Sequence, residues 1–283
     1  MEFLVLYIHI MILAISQPFG NIIKLSKFLI AIFILSTILI VSPEHINAAA
    51  ATEGTFPFSP SEKLTFKLNW GIIPAGDVVL EVLPIETKNG IDSYHFSMTE
   101  KSTPFIDIFY KVRERIDSYV DLDMTHSLLY TKKQHEGRHK RDVIVAFDWG
   151  KNKASYSNYG KKRKPISILP GSFDPLAVFY YSRLFKLQEN SEIKIPITDG
   201  KKSVIGIGRV IKRETVKLSF GTYETFLIEP DLKHVGGVFK KSKNAKIKLW
   251  VTADSRRIPI KIKSKVKIGS FTGELVDVVF KDD

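Results

Sequence analysis

The sequence, 283 residues long, contains no cysteine. Disulfide staples, thiol nucleophiles and a lipid-modified cysteine therefore have no residue to build on. The fold must be held by core burial, and the stretch from Thr52 to Asp283 is long enough for that. Also missing are a G-x-S-x-G nucleophile elbow, a P-loop and a dinucleotide-binding glycine pattern. Gly206-Ile207-Gly208 lies between strand-like Val204 and Val210, opens no helix, and reads as a strand kink. The main apolar run, Phe28 to Val41, would rise only about 21 Å as a helix. A bilayer core is about 30 Å thick.

That run follows Lys24 and Lys27 and leads into Ala48-Ala49-Ala50-Ala51. A positive region, an apolar region and small residues for a peptidase make a secretory signal. The expected organisation is an export segment over 1–50, cleaved near Ala50, and a single β-rich domain over 51–283 in the periplasm. Leu4, Val5, Leu6, Ile8 and Ile10 make the leader long. Two explanations stand: a start site set too far upstream, or an N-terminal hairpin of two short apolar segments.

The formal net charge is +12, and Glu2, Glu44, Lys24 and Lys27 cancel within the leader. The excess sits in Arg138-His139-Lys140-Arg141, Lys161-Lys162-Arg163-Lys164, Lys240-Lys241-Ser242-Lys243 and Arg256 through Lys267. Export argues against nucleic acid as the partner and points to envelope anions such as lipid headgroups or acidic glycans. The competing explanation is that lysines keep exposed sheet edges from pairing with other chains.

Period-two alternation dominates the rest. Leu64, Phe66, Leu68 and Trp70 oppose Lys63, Thr65, Lys67 and Asn69; Ile247, Leu249 and Val251 oppose Lys246, Lys248 and Trp250; Ile260 and Ile262 oppose Lys261, Lys263 and Lys265. One face is apolar and the other wet, the antiparallel pattern. Asn89-Gly90 and Asp199-Gly200 suit hairpin turns. One segment departs from this: Asp174 can cap and Pro175 can open a helix carrying Leu176, Phe179, Tyr180, Arg183 and Leu184. The fold expected is mainly β: a single curved antiparallel sheet or open half-barrel with one packed helix over about 174–186.

His135-Glu136-Gly137-Arg138-His139 matches H-E-x-x-H, whose zinc chemistry requires a helix to bring both imidazoles to one metal. Gly137 and the alternating Val143 to Phe147 favour a strand instead, with the two histidines about 13 Å apart. Asp107, Glu114, Asp117, Asp121 and Asp123 could pair for glycoside hydrolysis, but alternate with Lys111, Arg113 and Arg115 as strand charges would. The aromatics are expected mostly in the core, some lining an apolar cavity.

The chain resembles an exported bacterial family, domain of unknown function 3108. The likeness rests on Leu64 to Ile72 with Ala75-Gly76, Glu136-Gly137, Asp174-Pro175-Leu176, Tyr180 to Arg183, Ile247 to Thr252, Asp254, Arg257-Ile258-Pro259 and Ile268-Gly269-Ser270. The resemblance implies an envelope protein, mostly antiparallel β, with no assigned enzyme activity, and places Glu136-Gly137 in a strand. The closing strands are similar to half-barrel carriers of lipids or lipoproteins, a fold-level analogy.

The expectation is a non-enzymatic protein without cofactor that binds a lipid or anionic envelope glycan and touches the membrane peripherally. Trp70, Phe179, Tyr180, Arg183 and Trp250 are the expected ligand contacts, and Lys261, Lys263 and Lys265 would meet anionic headgroups. The alternatives are a zinc metallopeptidase using His135, Glu136 and His139, and a scaffold module for envelope assembly.

Overall fold

The computed structural model describes residues 56–233, 245–266 and 269–280. The export segment, its cleavage site and the basic run Lys240 to Lys243 lie outside the described residues. Alternating apolar and polar side chains produce what they require: extended strands with one dry face. The strands are β1 (Lys63–Trp70), β2 (Ile73–Lys88), β3 (Ile91–Ser102), β4 (Val112–Asp121), β5 (Ser127–Glu136), β6 (His139–Asp148), β7 (Lys153–Asn158) and the short β8 (Lys161–Lys162) and β9 (Ile166–Ser167). After a helical segment come β10 (Ser191–Thr198), β11 (Ser203–Leu218), β12 (Gly221–Pro230), β13 (Lys246–Thr252), β14 (Pro259–Val266) and β15 (Gly269–Val279).

All belong to one antiparallel sheet in the order β10-β11-β12-β13-β14-β15-β1-β2-β3-β4-β5-β6-β7-β8, with β9 beside β7. The last strand pairs with the first, so both ends of the described chain lie mid-sheet. The inner face is set by register: Leu64, Leu80, Met98, Ile116, Lys132 and Val143 are successive cross-strand partners. Its apolar members are all buried, each contributing about 1.5–3 kcal/mol.

The edges β8 and β10 do not pair among the described residues, so the sheet is open. A clasp spans the gap. Phe173 makes a parallel bridge to Ile197, donating to Pro196 O at 3.0 Å and accepting from Thr198 N at 2.9 Å. Its neighbour Ser172 accepts from Ser127 N on β5 at 3.2 Å. The β10–β11 turn presses on the opposite half of the sheet: a Cβ on Gly200, at φ +77°, would lie 2.8 Å from Val145 Cγ1 on β6.

The clasp leads into a helix that fills the interior. Its sequence-expected start is found; its length is not. The α-helical turn ends at Tyr181 and tightens into a 3-10 turn over Ser182–Leu184, and Phe185 is extended. Ser182 Oγ donates back to Phe179 O at 2.8 Å, and Arg183 turns into the core. A second helix, α1 (Pro104–Tyr110), was not expected; it is capped by Thr103 and carries Asp107, which the alternation assigned to a strand. The expected helix is therefore α2 (Pro175–Tyr181), which packs on β3, β4 and β10.

Two buried polar groups fix this segment. The Asp174 carboxylate accepts from Ser118 Oγ and Ser127 Oγ, both at 2.6 Å, and from the Leu176 and Ala177 amides at 2.9 and 3.0 Å. Burial pushes its carboxyl up, opposed by these four donors. Arg183 forks onto Glu62, Nη1 to Oε1 at 2.6 Å and Nη2 to Oε2 at 2.9 Å. It also donates to Pro57 O at 2.7 Å and Arg256 O at 3.0 Å. Above it, Tyr180 stacks on Phe96 with centroids 3.9 Å apart.

Removing one partner of a buried ion pair strands the other charge. Arg183→Met or Glu62→Gln should each lose about 3–5 kcal/mol of unfolding free energy in urea titrations. The Glu62→Leu/Arg183→Met double variant should lose clearly less than the sum of Glu62→Leu and Arg183→Met measured singly. Additive losses would disprove the coupling.

Candidate functional site

α2 turns Tyr180 and Leu176 into the packed core and leaves Val178, Phe179 and Ser182 facing the second half of the sheet. There they meet Ile193, Ile195 and Ile197 of β10 and Gly206 and Gly208 of β11, with Ile228, Pro230 and Leu249 completing the wall. Gly206 gives Ile197 room to pack across β11. A Cβ on Gly206 would overlap Ile197 Cδ1. The cleft holds ≈ 100 Å³, less than the usual ligand pocket of about 300 Å³ or more. Ser182 Oγ is already satisfied within the helix. Such a surface can desolvate a short apolar segment and has no free polar group to polarise a bond.

A wider depression of ≈ 440 Å³ lies among β12, β14 and β15, with Asp254, Arg256 and Asp277 beside Phe220, Tyr223 and Phe280. Asp254 is occupied there, accepting from Thr252 Oγ1 at 2.6 Å and the amides of Arg256 and Arg257 at 3.1 and 3.2 Å.

The expected ligand contacts do not converge. Phe179 alone lines the cleft. Tyr180 and Arg183 are core residues, with Arg183's donors engaged as described. Trp70 stacks on Phe271, centroids 6.2 Å apart, at the β14–β15 turn. Trp250 is buried on the far face of β13 and donates to Glu214 Oε1 at 2.8 Å. Lys261 pairs with Glu274 at 2.7 Å, while Lys263 and Lys265 are exposed. The register sets Lys246 opposite Lys265 and Lys248 opposite Lys263. Like charges directly across a sheet are unfavourable and are relieved by an anion. Lys248 has a partial answer in Glu229 at 3.7 Å.

The H-E-x-x-H tract is neither helix nor one strand. β5 ends at Glu136, Gly137-Arg138 form a two-residue turn, and His139 pairs with Glu136 to open β6. The separation of about 13 Å expected for a continuous strand therefore does not apply. Gly137 has φ +54°, and a Cβ there would overlap the Tyr110 ring of α1. Glu136 is buried, while His139 is exposed and His135 Nε2 contacts Gly137 O at 3.1 Å. Among the described residues no three His, Asp or Glu side chains are placed to hold a metal ion.

Sequence reasoning missed a buried carboxylate cluster. Glu100 and Glu114 are cross-strand partners, as are Glu114 and Gln134, and Glu136 follows on β5. All four are buried under the Tyr110 end of α1. Gln134 Nε2 donates to Glu114 Oε2 at 2.5 Å and also to Glu136. Burial pushes all three carboxyls up, and their mutual repulsion adds to this for Glu100 and Glu136. Glu136 is pushed up to about 8, first by burial and then by the charge of Glu114. Burial also moves the Tyr110 hydroxyl up to about 12.

Glu136 thus keeps its proton in the fold from its ordinary value of 4.5 up to about 8. Over that window the folded chain holds a proton the unfolded chain has released, so this contribution to stability falls as pH rises. Relative to Glu136→Gln, the native chain should lose up to about 1.4 kcal/mol per pH unit between those values. Paired thermal melts at pH 5 and 9 check this; a constant difference would refute it.

The model of the family described as "Protein of unknown function (DUF3108)" matches residues 65–276. No curated protein matches the chain. A solved beta-barrel-like protein of domain of unknown function DUF1849 from Brucella abortus is 12% identical, covers 78% of this chain and 98% of its own, and has a TM-score of 0.50. That likeness is one of fold. A chain from Parabacteroides distasonis described as a candidate lipoprotein is 12% identical over 79% of this chain and 97% of its own, with a TM-score of 0.32.

Proposed function

The chain belongs to the DUF3108 family of proteins of unknown function, and from that premise we propose that it is an exported envelope protein that binds an amphiphilic envelope molecule without transforming it. The observation that carries this reading is the cleft between α2 and β10–β13, walled by isoleucines, valine, proline and Phe179, with Gly206 and Gly208 in its lining. Its ≈ 100 Å³ suits a few methylenes of an acyl chain rather than a whole lipid. The opposed lysines of β13 and β14 supply attraction for an anionic headgroup or glycan. Export is supported by the leader, with Lys24, Lys27 and the apolar run before Ala48. The non-enzymatic reading is supported by the sealing of Glu100, Glu114 and Glu136 beneath α1, out of reach of a substrate.

Filling the cleft tests this. Native mass spectra of protein recovered from membranes should show a bound amphiphile, and a fluorescent fatty acid should bind competitively. Val178→Trp should weaken that binding at least tenfold while leaving the circular dichroism spectrum unchanged. Equal binding by both proteins, or none by either, would overturn the assignment.

A further inference from the structure

The large hydrophobic side chains left in water are not scattered evenly. The five most exposed among the described residues are Ile72 at 96%, Ile108 at 75%, Phe109 at 72%, and Phe105 and Tyr159 at 56%. All five lie at one end of the sheet. Ile72 is in the β1–β2 turn, the three α1 residues are in the β3–β4 connection, and Tyr159 is in the β7–β8 turn. Antiparallel pairing carries the β5–β6 turn to the same end. Isolated exposed apolar residues need no explanation, but a cluster contributed by separate turns marks an interaction surface.

The tip is braced. Thr103 donates from its amide to Ala75 O at 3.0 Å and from its hydroxyl to Pro74 O at 3.2 Å, tying α1 to the start of β2. Gly137 N donates to Lys111 O at 2.9 Å, and Tyr110 packs over Gly137, tying α1 to the β5–β6 turn. Tyr159 N donates to Asp142 O at 2.8 Å. Phe105 and Phe109 meet edge to face, centroids 5.6 Å apart, and point outward. Among the described residues nothing closes over them.

Charge identifies the occupant. Lys101, Lys111, Arg138, Lys140, Lys161, Lys162, Arg163 and Lys164 surround the tip and are exposed. The carboxylate of β2 closest to the tip and that of α1 are neutralised: Asp77 by Lys67 at 2.7 Å and Asp107 by Arg113 at 2.5 Å. A projecting wedge of Ile and Phe inside a collar of cations matches a lipid surface with anionic headgroups: the apolar side chains enter the acyl boundary and the cations remain among the phosphates. We propose that this end of the sheet docks on an anionic phospholipid bilayer. The surface is separate from the cleft under α2, and either assignment can fail without the other.

The absence of cysteine makes the test direct, because one introduced thiol labels one position. Full-length chains carrying Ile72→Cys, Phe109→Cys or, at the opposite end, Ile91→Cys would be labelled with a polarity-sensitive fluorophore. They would be mixed with vesicles of phosphatidylglycerol and phosphatidylethanolamine, or of phosphatidylcholine alone. Labels at 72 and 109 should shift to the blue on the anionic vesicles, at least tenfold more tightly than on phosphatidylcholine, and the preference should shrink in high salt. The label at 91 should not respond. Because all three chains share the same leader, its insertion cannot produce that contrast. No shift at 72 and 109, or an equal shift at 91, would overturn the proposal. A shift that grows with protein concentration without vesicles would overturn it too, assigning the face to a second copy of the chain.

Discussion

Among the described residues the sheet does not close on itself by strand pairing, and the rest of the structure answers that constraint. An open sheet would expose its apolar inner face along a slot between β8 and β10. The segment from Ser172 to Leu184 packs against that inner face, on β3, β4 and β10, and it is held by polar contacts made inside the core. Asp174 gathers two serines from β4 and β5 and two amides of its own helix. Arg183 reaches Glu62 ahead of β1 and the backbone of Arg256 ahead of β14. These bonds join segments distant in sequence and tie the interior plug to the sheet.

The chain thereby separates several environments. Under α2, an apolar cleft remains between the helix and β10–β13. Under α1, three glutamates share too little charge compensation to remain all ionised. On the outer face of β13 and β14, lysines oppose one another. At one tip, hydrophobic side chains face water. Each carries a local energetic cost that folding alone does not explain. The cleft is incompletely packed, the lysines oppose one another with Glu229 answering only Lys248, and the tip has no cover among the described residues. The glutamates differ in that protonation relieves them without any ligand.

Much of the fold was legible in the residues. Leu64, Phe66 and Leu68 alternate because a strand sends successive side chains to opposite faces, and all three are buried. Asp174-Pro175 announced α2 by capping chemistry. Its end was not legible, because Arg183 keeps helical spacing in sequence while its partner Glu62 is distant along the chain. α1 displays the cap Thr103 before Pro104, but at seven residues it is too short for periodicity to reveal. The site was less legible. Phe179 could be found from its place on the helix, but which side of α2 meets the core and which the cleft is decided by packing. Glu100, Glu114 and Glu136 belong together only through strand register, which no local pattern encodes. In sequence Gly137 favours a strand, whereas the steric demand of Tyr110 and its positive φ make it the corner of a hairpin.

The clasp between Phe173 and Ile197 has a mechanical consequence. A barrel closed by a full hydrogen-bond ladder has a fixed circumference, since widening it breaks many backbone bonds at once. Here the girth is set by one short bridge, the wedge of Gly200 against Val145 and the bulk of a single helix. The girth is thus tuned by side-chain volume, and this molecule is hooped like a cask rather than cast as a ring.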